Sequence, residues 1–345
     1  MFSMQKVTMR NRTLPTAPLL RPILSLLAVS AISLGAAACG SSGGKQLTLL
    51  AYSTPQSVFA ALIPAFRTTS EGKGVTFSQS YGPSGDQSRA VAAGLKADVV
   101  NFSLEPDVTR LVKAGLVSPG WNKNATHGFV SESVAVIVVR KGNPKHISGW
   151  NDLVKPGVQV ITPNPFTSGG ARWNVMAAYG AQLKEGKTPA QAQAYLKSLF
   201  GKVVSQDSSA RNALQTFLAG RGDALIDYEN EAIADQKKGA AIEYVIPKDT
   251  ILIQNPIAIL SGPNTATAQK FVGYLLSPAG QRIWAQKGYR PVISGVAAPG
   301  QFPTPPGLFT IDSLGGWTRV GKQFFEASTG IVTKIEQSLG VSTAK

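Results

Sequence analysis

The sequence has few of the residues that enzyme active sites and metal centres use. It contains one cysteine, Cys39, and two histidines, His127 and His146, in 345 residues. A single cysteine cannot form an internal disulfide, and no Cys/His cluster or HExxH motif is present to bind zinc. A Walker motif, a dinucleotide fingerprint and a nucleophile elbow with a histidine partner are also missing. We therefore expect no enzyme, cofactor or metal, and we expect both histidines in surface loops.

Acidic residues and long apolar runs are also scarce. After residue 40 no stretch is apolar enough to span a bilayer. Lysine and arginine (34) outnumber aspartate and glutamate (19), so the net charge is +15, of which the first 21 residues carry four charges. No basic run is longer than Lys237–Lys238. This spread predicts a diffuse field that attracts small anions and suits an anionic membrane surface, rather than a nucleic-acid site.

The N-terminal segment has the parts of a secretory signal. A basic region that includes Arg10 and Arg12 precedes an apolar stretch at 22–38, which ends in small residues. Cys39 follows directly, so the segment resembles the signal of bacterial lipoproteins, although Ala36 stands where leucine is usual. We predict a signal peptide at 1–38, acylation of Cys39 and a flexible Gly/Ser tether at 39–46.

The stretch from Val158 to Gly180 combines a strand, a break and a helix start. β-Branched residues at 158–162 predict a short buried strand, which ends at Pro163 because proline cannot donate to a sheet. Ser168 then precedes two glycines and a run with helical spacing, so it fits an N-cap. Such a start presents N–H groups at the positive end of the helix dipole. It can bind an anion, although an ordinary cap has the same sequence.

The order of strand, hydroxyl residues and helix start occurs four times, at 52–55, 82–85, 166–170 and 207–210. In an open α/β sheet these points lie at the carboxyl edge of the strands, where ligands bind. A deprotonated oxyanion needs only donors, and serine hydroxyls and backbone N–H groups supply them without a buried counter-charge. Four starts could converge on one ion, although many βα loops begin with a cap.

The order of segments predicts an α/β protein of about two domains. Strands alternate with helices from residue 47, which indicates βαβ units and mainly parallel sheets. The apolar runs 133–140 and 251–260 are long enough to cross between two lobes and back. Glu229 and Glu231 lie at a predicted helix start, where they suit the dipole. One helix is predicted at 316–336.

Several ordered motifs resemble the sulfate/thiosulfate-binding proteins of bacterial ABC importers. They include the Ser-Gly-Gly-Ala-Arg-Trp-Asn run at 168–174 and the Tyr-Glu-Asn-Glu-Ala run at 228–232, with further matches at 141–145, 150–157, 160–165, 289–291, 308–312 and 315–317. The similarity extends from about residue 47 to 325. It implies a type II-like, two-lobed periplasmic-binding-protein fold with a hinge. Lobe 1 would comprise 47–133 with 256–345, and lobe 2 would comprise 134–255.

The resemblance also implies the ligand contacts. Carried over position by position, they fall on Ser53, Ser84, Ser168, Gly169, Gly170, Ala210 and Tyr228. Ser53 stands where the family usually has aspartate, and Tyr228 stands where it usually has tryptophan. These two differences leave open whether the site excludes protonated oxyanions. We expect Arg172 to brace the site through a salt bridge rather than to contact the ion. A direct contact would bury an ion pair between the arginine and the anion, at a cost in desolvation that helix dipoles avoid. Trp173 is predicted in the core, and Tyr52 either lines the cleft or packs under it.

Together these features predict an extracytoplasmic, lipid-anchored receptor that captures sulfate, or also thiosulfate. It would deliver the ion to a membrane permease with a cytoplasmic ATPase. The expected partners are the sulfate ion, the transporter and the membrane, without nucleic acid, and we expect a monomer. Two alternatives stay open. One is a receptor for molybdate, tungstate or phosphate. The other is an enzyme acting on a sulfated or phosphorylated substrate, for which the sequence offers no base or metal.

Overall fold

A computed structural model describes residues 45–343. The predicted signal peptide, Cys39 and most of the tether lie outside this range. The strands of the described part are β1 (Gln46–Tyr52), β2 (Thr76–Gly82), β3 (Val99–Asn101), β4 (Phe129–Arg140), β5 (Val160–Ile161), β6 (Val203–Ser205), β7 (Ala224–Tyr228), β8 (Ile242–Val245) and β9 (Leu252–Ile259). Its α-helices are α1 (Gln56–Arg67), α2 (Ser84–Ala92), α3 (Glu105–Lys113), α4 (Gly169–Lys184), α5 (Pro189–Phe200), α6 (Ala210–Leu218), α7 (Glu229–Lys237), α8 (Thr265–Leu276), α9 (Pro278–Gln286), α10 (Gly316–Phe325) and α11 (Ile331–Ser338).

These strands form one sheet in the order β2-β1-β3-β9-β4-β7-β5-β6, and β8 pairs with β4. β1 pairs in parallel with β2 and β3, and β5 pairs in parallel with β6 and β7. Between these groups, β4 and β9 run antiparallel to each other and to their other neighbours. The sheet therefore has two parallel parts, called here the β1–β3 half and the β5–β7 half.

The long strands β4 and β9 belong to both halves. Residues 129–134 of β4 pair with β9, and residues 135–139 pair with β7. β9 continues from β4 to β3, with which residues 257–259 pair. Most of β4 is buried, as its run of valine and isoleucine requires for a strand that is covered on both faces. The runs 133–140 and 251–260 thus lie in the two strands that link the halves of the sheet, and their crossing between two lobes stays a prediction.

Different groups of apolar side chains cover the two halves. Phe59, Phe66 and Phe271 pack together on the β1–β3 half. On the β5–β7 half, α4 is buried around most of its circumference, and Trp173 is fully buried as predicted. Burial of apolar surface is the main favourable contribution to folding. It holds the beginnings of the helices in fixed positions at the edge of the sheet.

The chain after β9 differs from the prediction in two respects. The expected helix at 316–336 is two helices, because the chain turns at Gly330, where a Cβ would lie 2.6 Å from the carbonyl oxygen of Phe324. In addition, Trp317 of α10 packs edge-on against Trp173 of α4. The lobe boundaries stay a proposal. Because of the contact between Trp317 and Trp173, that proposal assigns α10 and α11 to lobe 2 rather than to lobe 1.

Three short elements were not predicted: β8 and the one-turn helices Trp150–Val154 and Ile311–Leu314. Segments this short carry too little hydrophobic periodicity to be recognised. His127 and His146 lie exposed in loops, as expected. Within residues 45–343, no helix combines the length and the apolar character needed to cross a membrane.

Candidate anion-binding site

The four predicted helix starts meet around one small cavity. Residues from all four line it, together with two further residues: Tyr52, Ser53, Thr54, Pro83, Ser84, Ser103, Ser168, Gly169, Gly170, Ala210 and Tyr228. The space open to the centre of a water-sized sphere is about 10 Å³. Such a cavity suits one small ion rather than an organic substrate. None of the lining side chains is charged.

The start of α4 is a capped helix with spare donors. Ser168 is the N-cap, and its hydroxyl oxygen accepts the N–H of Ala171 at 3.4 Å. Because that oxygen is the acceptor, the hydroxyl proton is left for a ligand. The N–H groups of Gly169 and Gly170 come too early in the helix to have a partner within it. This start can supply three donors to one ion.

The two glycines of this start differ in how tightly they are packed. A Cβ on Gly169 would lie 2.7 Å from the Cβ of Ser103, which is too close. A Cβ on Gly170 would lie 3.5 Å from atoms of both Ala210 and Tyr228, which is ordinary contact. Position 169 therefore requires glycine. Position 170 has room for one carbon, but a larger side chain would fill the cavity.

Ser84 lies in the cavity wall at the start of α2, but its hydroxyl has other partners. It donates to Oδ2 of Asp107 at 2.6 Å and accepts the N–H of Ser103 at 2.9 Å. Asp107 is buried and also pairs with Arg110 at 3.0 Å. Ser84 can therefore offer an ion its backbone N–H, while its hydroxyl proton is engaged by the carboxylate.

Tyr228 and Ser103 share a hydrogen bond in the wall of the cavity. Their hydroxyl oxygens lie 2.7 Å apart, and both residues are buried. Either hydroxyl can be the donor, so the other one keeps a proton for a ligand. Burial raises the pKa of Tyr228 well above its ordinary value, so the side chain is neutral at physiological pH. Unlike an indole N–H, this hydroxyl pair can also accept a hydrogen bond.

The remaining predicted contacts lie at the carboxyl end of β1 and at the start of α6. Ser53 is half-buried and follows β1 directly. Ala210 is the first residue of α6, whose N-cap, Ser209, accepts the N–H of Asn212 at 3.2 Å. Tyr52 lines the cavity, which decides between the two placements that the sequence left open. Its buried hydroxyl has no hydrogen-bond partner among the described residues.

Ser103 is the lining residue that the sequence reasoning missed. It follows β3 and precedes α3, so it has the same order of strand, hydroxyl and helix as the four predicted starts. The sequence pattern predicts a helix from about residue 106, whereas α3 begins at Glu105, close enough for Ser103 to belong to its start. Its carbonyl oxygen accepts the indole N–H of Trp173 at 2.8 Å, which fixes its position.

A buried charged cluster lies on α7, next to Tyr228. Glu229 receives two hydrogen bonds from Arg290, at 2.7 and 3.0 Å. Glu231 pairs with Arg211 at 2.7 Å. Both glutamates occupy the first turn, as predicted, but they are also fully buried. Burial raises the pKa of Glu231 to about 7, although the charge of Arg211 lowers it in part.

Arg172 does not form the predicted salt bridge within the described part of the chain. Its Nε donates to the carbonyl oxygen of Pro165 at 2.8 Å, and its guanidinium lies 4.7 Å from the ring centre of Phe325. The nearby carboxylate of Asp107 pairs with Arg110 instead. Arg172 therefore braces the segment before Ser168 through a backbone carbonyl and an aromatic ring.

Hydrogen bonds join the two halves around the cavity. The N–H of Gly85 donates to the carbonyl oxygen of Thr167 at 3.2 Å, and the Trp173–Ser103 bond described above also joins the halves. These two bonds hold the halves together beside the cavity, so they would have to break for the halves to separate around an ion. Within residues 45–343, no group of three or more histidine, cysteine or acidic residues is suited to hold a metal ion.

Comparison with known proteins identifies the family. The family model for bacterial extracellular solute-binding proteins matches residues 47–290. The chain is 38% identical to the sulfate-binding protein of Synechococcus elongatus, over 88% of this chain and 92% of that protein. It is 32% identical to the thiosulfate-binding protein of Pseudomonas aeruginosa, over 87% and 95% of the two chains. The chain belongs to the bacterial extracellular solute-binding proteins.

Solved structures agree with this assignment. The sulfate-binding protein SubI from Mycobacterium tuberculosis H37Rv matches this solute-binding protein with a TM-score of 0.79 and 44% identity, over 82% of this chain and 100% of SubI. The periplasmic binding protein P5PA, at 20% identity and a TM-score of 0.66, shares the fold. The two-lobed periplasmic-binding-protein fold is thus confirmed. The relatives are solute-binding proteins rather than enzymes, and the family is extracytoplasmic.

Proposed function

We propose that this solute-binding protein captures sulfate in the small cavity of the candidate site and delivers it to the permease of an ABC importer, which a cytoplasmic ATPase drives. The observation that carries the proposal is the meeting of four helix starts around a cavity without a charged lining side chain. The sulfate- and thiosulfate-binding proteins among its relatives support the same class of ligand.

Hydrogen-bond donors would hold the ion in place of a counter-charge. The starts of α2, α4 and α6 present N–H groups at the positive ends of helix dipoles, and Ser168 adds a hydroxyl. A hydrogen bond to a charged group contributes about 1.5–3 kcal/mol. Several together can offset the loss of the hydration shell.

A protonated oxyanion such as monohydrogen phosphate would need an acceptor as well as donors. The Asp107 carboxylate is already engaged by Ser84 and Arg110. The acceptors left among the lining side chains are hydroxyl oxygens such as those of Tyr228 and Ser103. We therefore expect sulfate to bind more tightly than phosphate.

Calorimetric titration of the stripped protein tests this function. Sulfate should bind with one ion per chain, and phosphate and chloride should bind more weakly or not at all. At a hundredfold excess over its dissociation constant, sulfate should raise the free energy of unfolding by about 2.7 kcal/mol, which a shift in melting temperature would report. Tight binding of molybdate or phosphate without sulfate would favour those ligands. No response to any oxyanion would refute the receptor function.

We further propose that ligand binding closes two lobes about β4 and β9. Residues 47–133 and the chain directly after 256 would form lobe 1, and 134–255 with α10 and α11 would form lobe 2. Small-angle X-ray scattering should show a smaller radius of gyration with sulfate than without it. An unchanged radius would argue against a hinge motion.

Anchoring through an acylated Cys39 and a monomeric state are also proposals. In the native host, Cys39→Ala should release the protein into the medium or leave it uncleaved. If the variant stays as firmly membrane-bound as the natural protein, the anchor lies elsewhere. Size-exclusion chromatography of a variant that begins after Cys39 would test the monomeric state.

A further inference from the structure

Three arginines lie beside the anion cavity, around a second small cavity. Arg89, Arg110 and Arg172, called here the arginine cluster, line a space that is also about 10 Å³. Ser168 and Gly169 line this space and the anion cavity alike. The arginine cluster is therefore separated from the anion cavity only by the start of α4.

The arginine cluster carries one positive charge in excess. Arg89 pairs with Asp86, and Arg110 pairs with Asp107. Arg172 has no acidic partner within the described residues, and the one hydrogen bond of its side chain there runs from Nε to the carbonyl oxygen of Pro165. The side chains of Arg89 and Arg110 are 30% and 35% exposed, so they are reached by ions in solution.

The arginine cluster surrounds a contact that holds the halves together beside the anion cavity. The Gly85–Thr167 hydrogen bond joins the start of α2 to the segment before α4, and both residues line the cluster's space. A Cβ on Gly85 would lie 3.2 Å from Nη1 of Arg89, so this guanidinium lies directly at the contact. When the contact opens, an anion arriving from this side meets the arginines before it reaches Ser168.

We propose that Arg89, Arg110 and Arg172 form an approach site that attracts a divalent oxyanion to the mouth of the cavity and accelerates its binding. This inference rests on the proposed sulfate function. An uncharged inner site has only short-range attraction for the ion, whereas positive charge at a cleft raises association rates by about 10–10³ and loses this effect at high salt. Because the two cavities share Ser168 and Gly169, the field of the arginines acts on the ion both at the mouth and in the anion cavity. Loss of one arginine charge should therefore lower the association rate, leave the dissociation rate nearly unchanged and raise the dissociation constant by the same factor as the association rate falls.

Stopped-flow fluorescence can measure both rates, since the indole of Trp173 is bonded to Ser103 across the closed contact. Arg89→Gln is the best single variant, because this side chain is partly exposed and its partner Asp86 lies on the same helix. At low ionic strength we expect the sulfate association rate to fall about fivefold. The difference from the natural protein should vanish in molar salt.

Two further variants make the test decisive. Lys270→Gln removes one exposed positive charge on α8, away from the cluster, and should leave the association rate nearly unchanged. Arg89→Lys keeps the charge and should restore most of the rate, which a purely structural role of the guanidinium would not allow.

The outcomes separate this inference from the proposed function. An Arg89→Gln association rate equal to that of Lys270→Gln, or a change confined to the dissociation rate, would refute the approach site while sulfate binding stands. If the natural protein binds no sulfate, both proposals fail.

Discussion

The anion cavity and the charged cluster on α7 stabilise buried negative charge in different ways. The cavity offers helix starts and hydroxyls, and no charged side chain lines it. On α7, Glu229 and Glu231 are buried too, but each has an arginine partner. The carboxylates are always present, so a permanent counter-charge suits them. A bound ion leaves, and an arginine in its cavity would then remain buried and unpaired, at a high cost in free energy. Helix dipoles and hydroxyl groups therefore suit an ion that binds and dissociates.

Removing one partner of a buried ion pair should give the largest loss in the free energy of unfolding. Glu229→Ala leaves Arg290 buried without its carboxylate, which typically costs about 3–5 kcal/mol in the free energy of unfolding. Urea denaturation measures this loss. Lys155→Ala removes a lysine that is mostly exposed, and its partner Asp152 keeps hydrogen bonds from Ser148 and Gly149, so the loss should be no more than about 1 kcal/mol. Equal losses in the two variants would contradict the distinction between buried and exposed pairs.

Filling the cavity should weaken sulfate binding most among the site variants. In Gly170→Val, the Cβ fits beside Ala210 and Tyr228, but its two methyl groups would occupy the space of the ion. We expect the dissociation constant to rise at least about a hundredfold, or about 2.7 kcal/mol. Gly273→Val, at an exposed position of α8 with no neighbour within 4 Å, is the matched control. Comparable affinity in both variants, measured by calorimetry, would place the ion elsewhere.

Removing one donor should have a smaller effect. Ser168→Ala loses the hydroxyl proton that the structure leaves for a ligand, which should weaken sulfate binding by about ten- to a hundredfold. Ser209→Ala removes the corresponding cap of α6, outside the cavity lining, and should weaken it less. Circular dichroism confirms that both variants are folded. If Ser168→Ala binds as tightly as the natural protein, Ser168 acts only as a helix cap.

Because of the charged cluster, the free energy of unfolding should also depend on pH. Burial raises the pKa of Glu231 from 4.5 to about 7 in the folded state. Between these values the unfolded chain binds fewer protons than the folded one, so the free energy of unfolding falls as pH rises. The slope is at most about 1.4 kcal/mol per pH unit for one proton, and it flattens above pH 7.

Denaturation of the natural protein and of Glu231→Gln at several pH values isolates this contribution. The variant should lack the fall between pH 4.5 and 7 that Glu231 causes. Parallel curves for the two proteins would show that Glu231 does not titrate in this range.

Local signals in the sequence were sufficient for much of the fold and of the site. The Ser168 cap was predictable because serine, two glycines and helical spacing follow one another directly. The crossing strands were predictable because their apolar runs are continuous. Pairing between distant residues was not predictable: Arg290 and Glu229 lie 61 residues apart, and only tertiary packing brings them together. The partners of Arg172 depend on packing in the same way, because Asp107 could pair with either nearby arginine.

The helix starts are proposed to hold the ion without a counter-charge. Crystals grown with selenate, which replaces sulfate and scatters anomalously, test this proposal directly. We expect one strong peak in the cavity, with oxygens about 3 Å from the Ser168 hydroxyl and the Gly170 N–H. A peak only at the arginine cluster would contradict it.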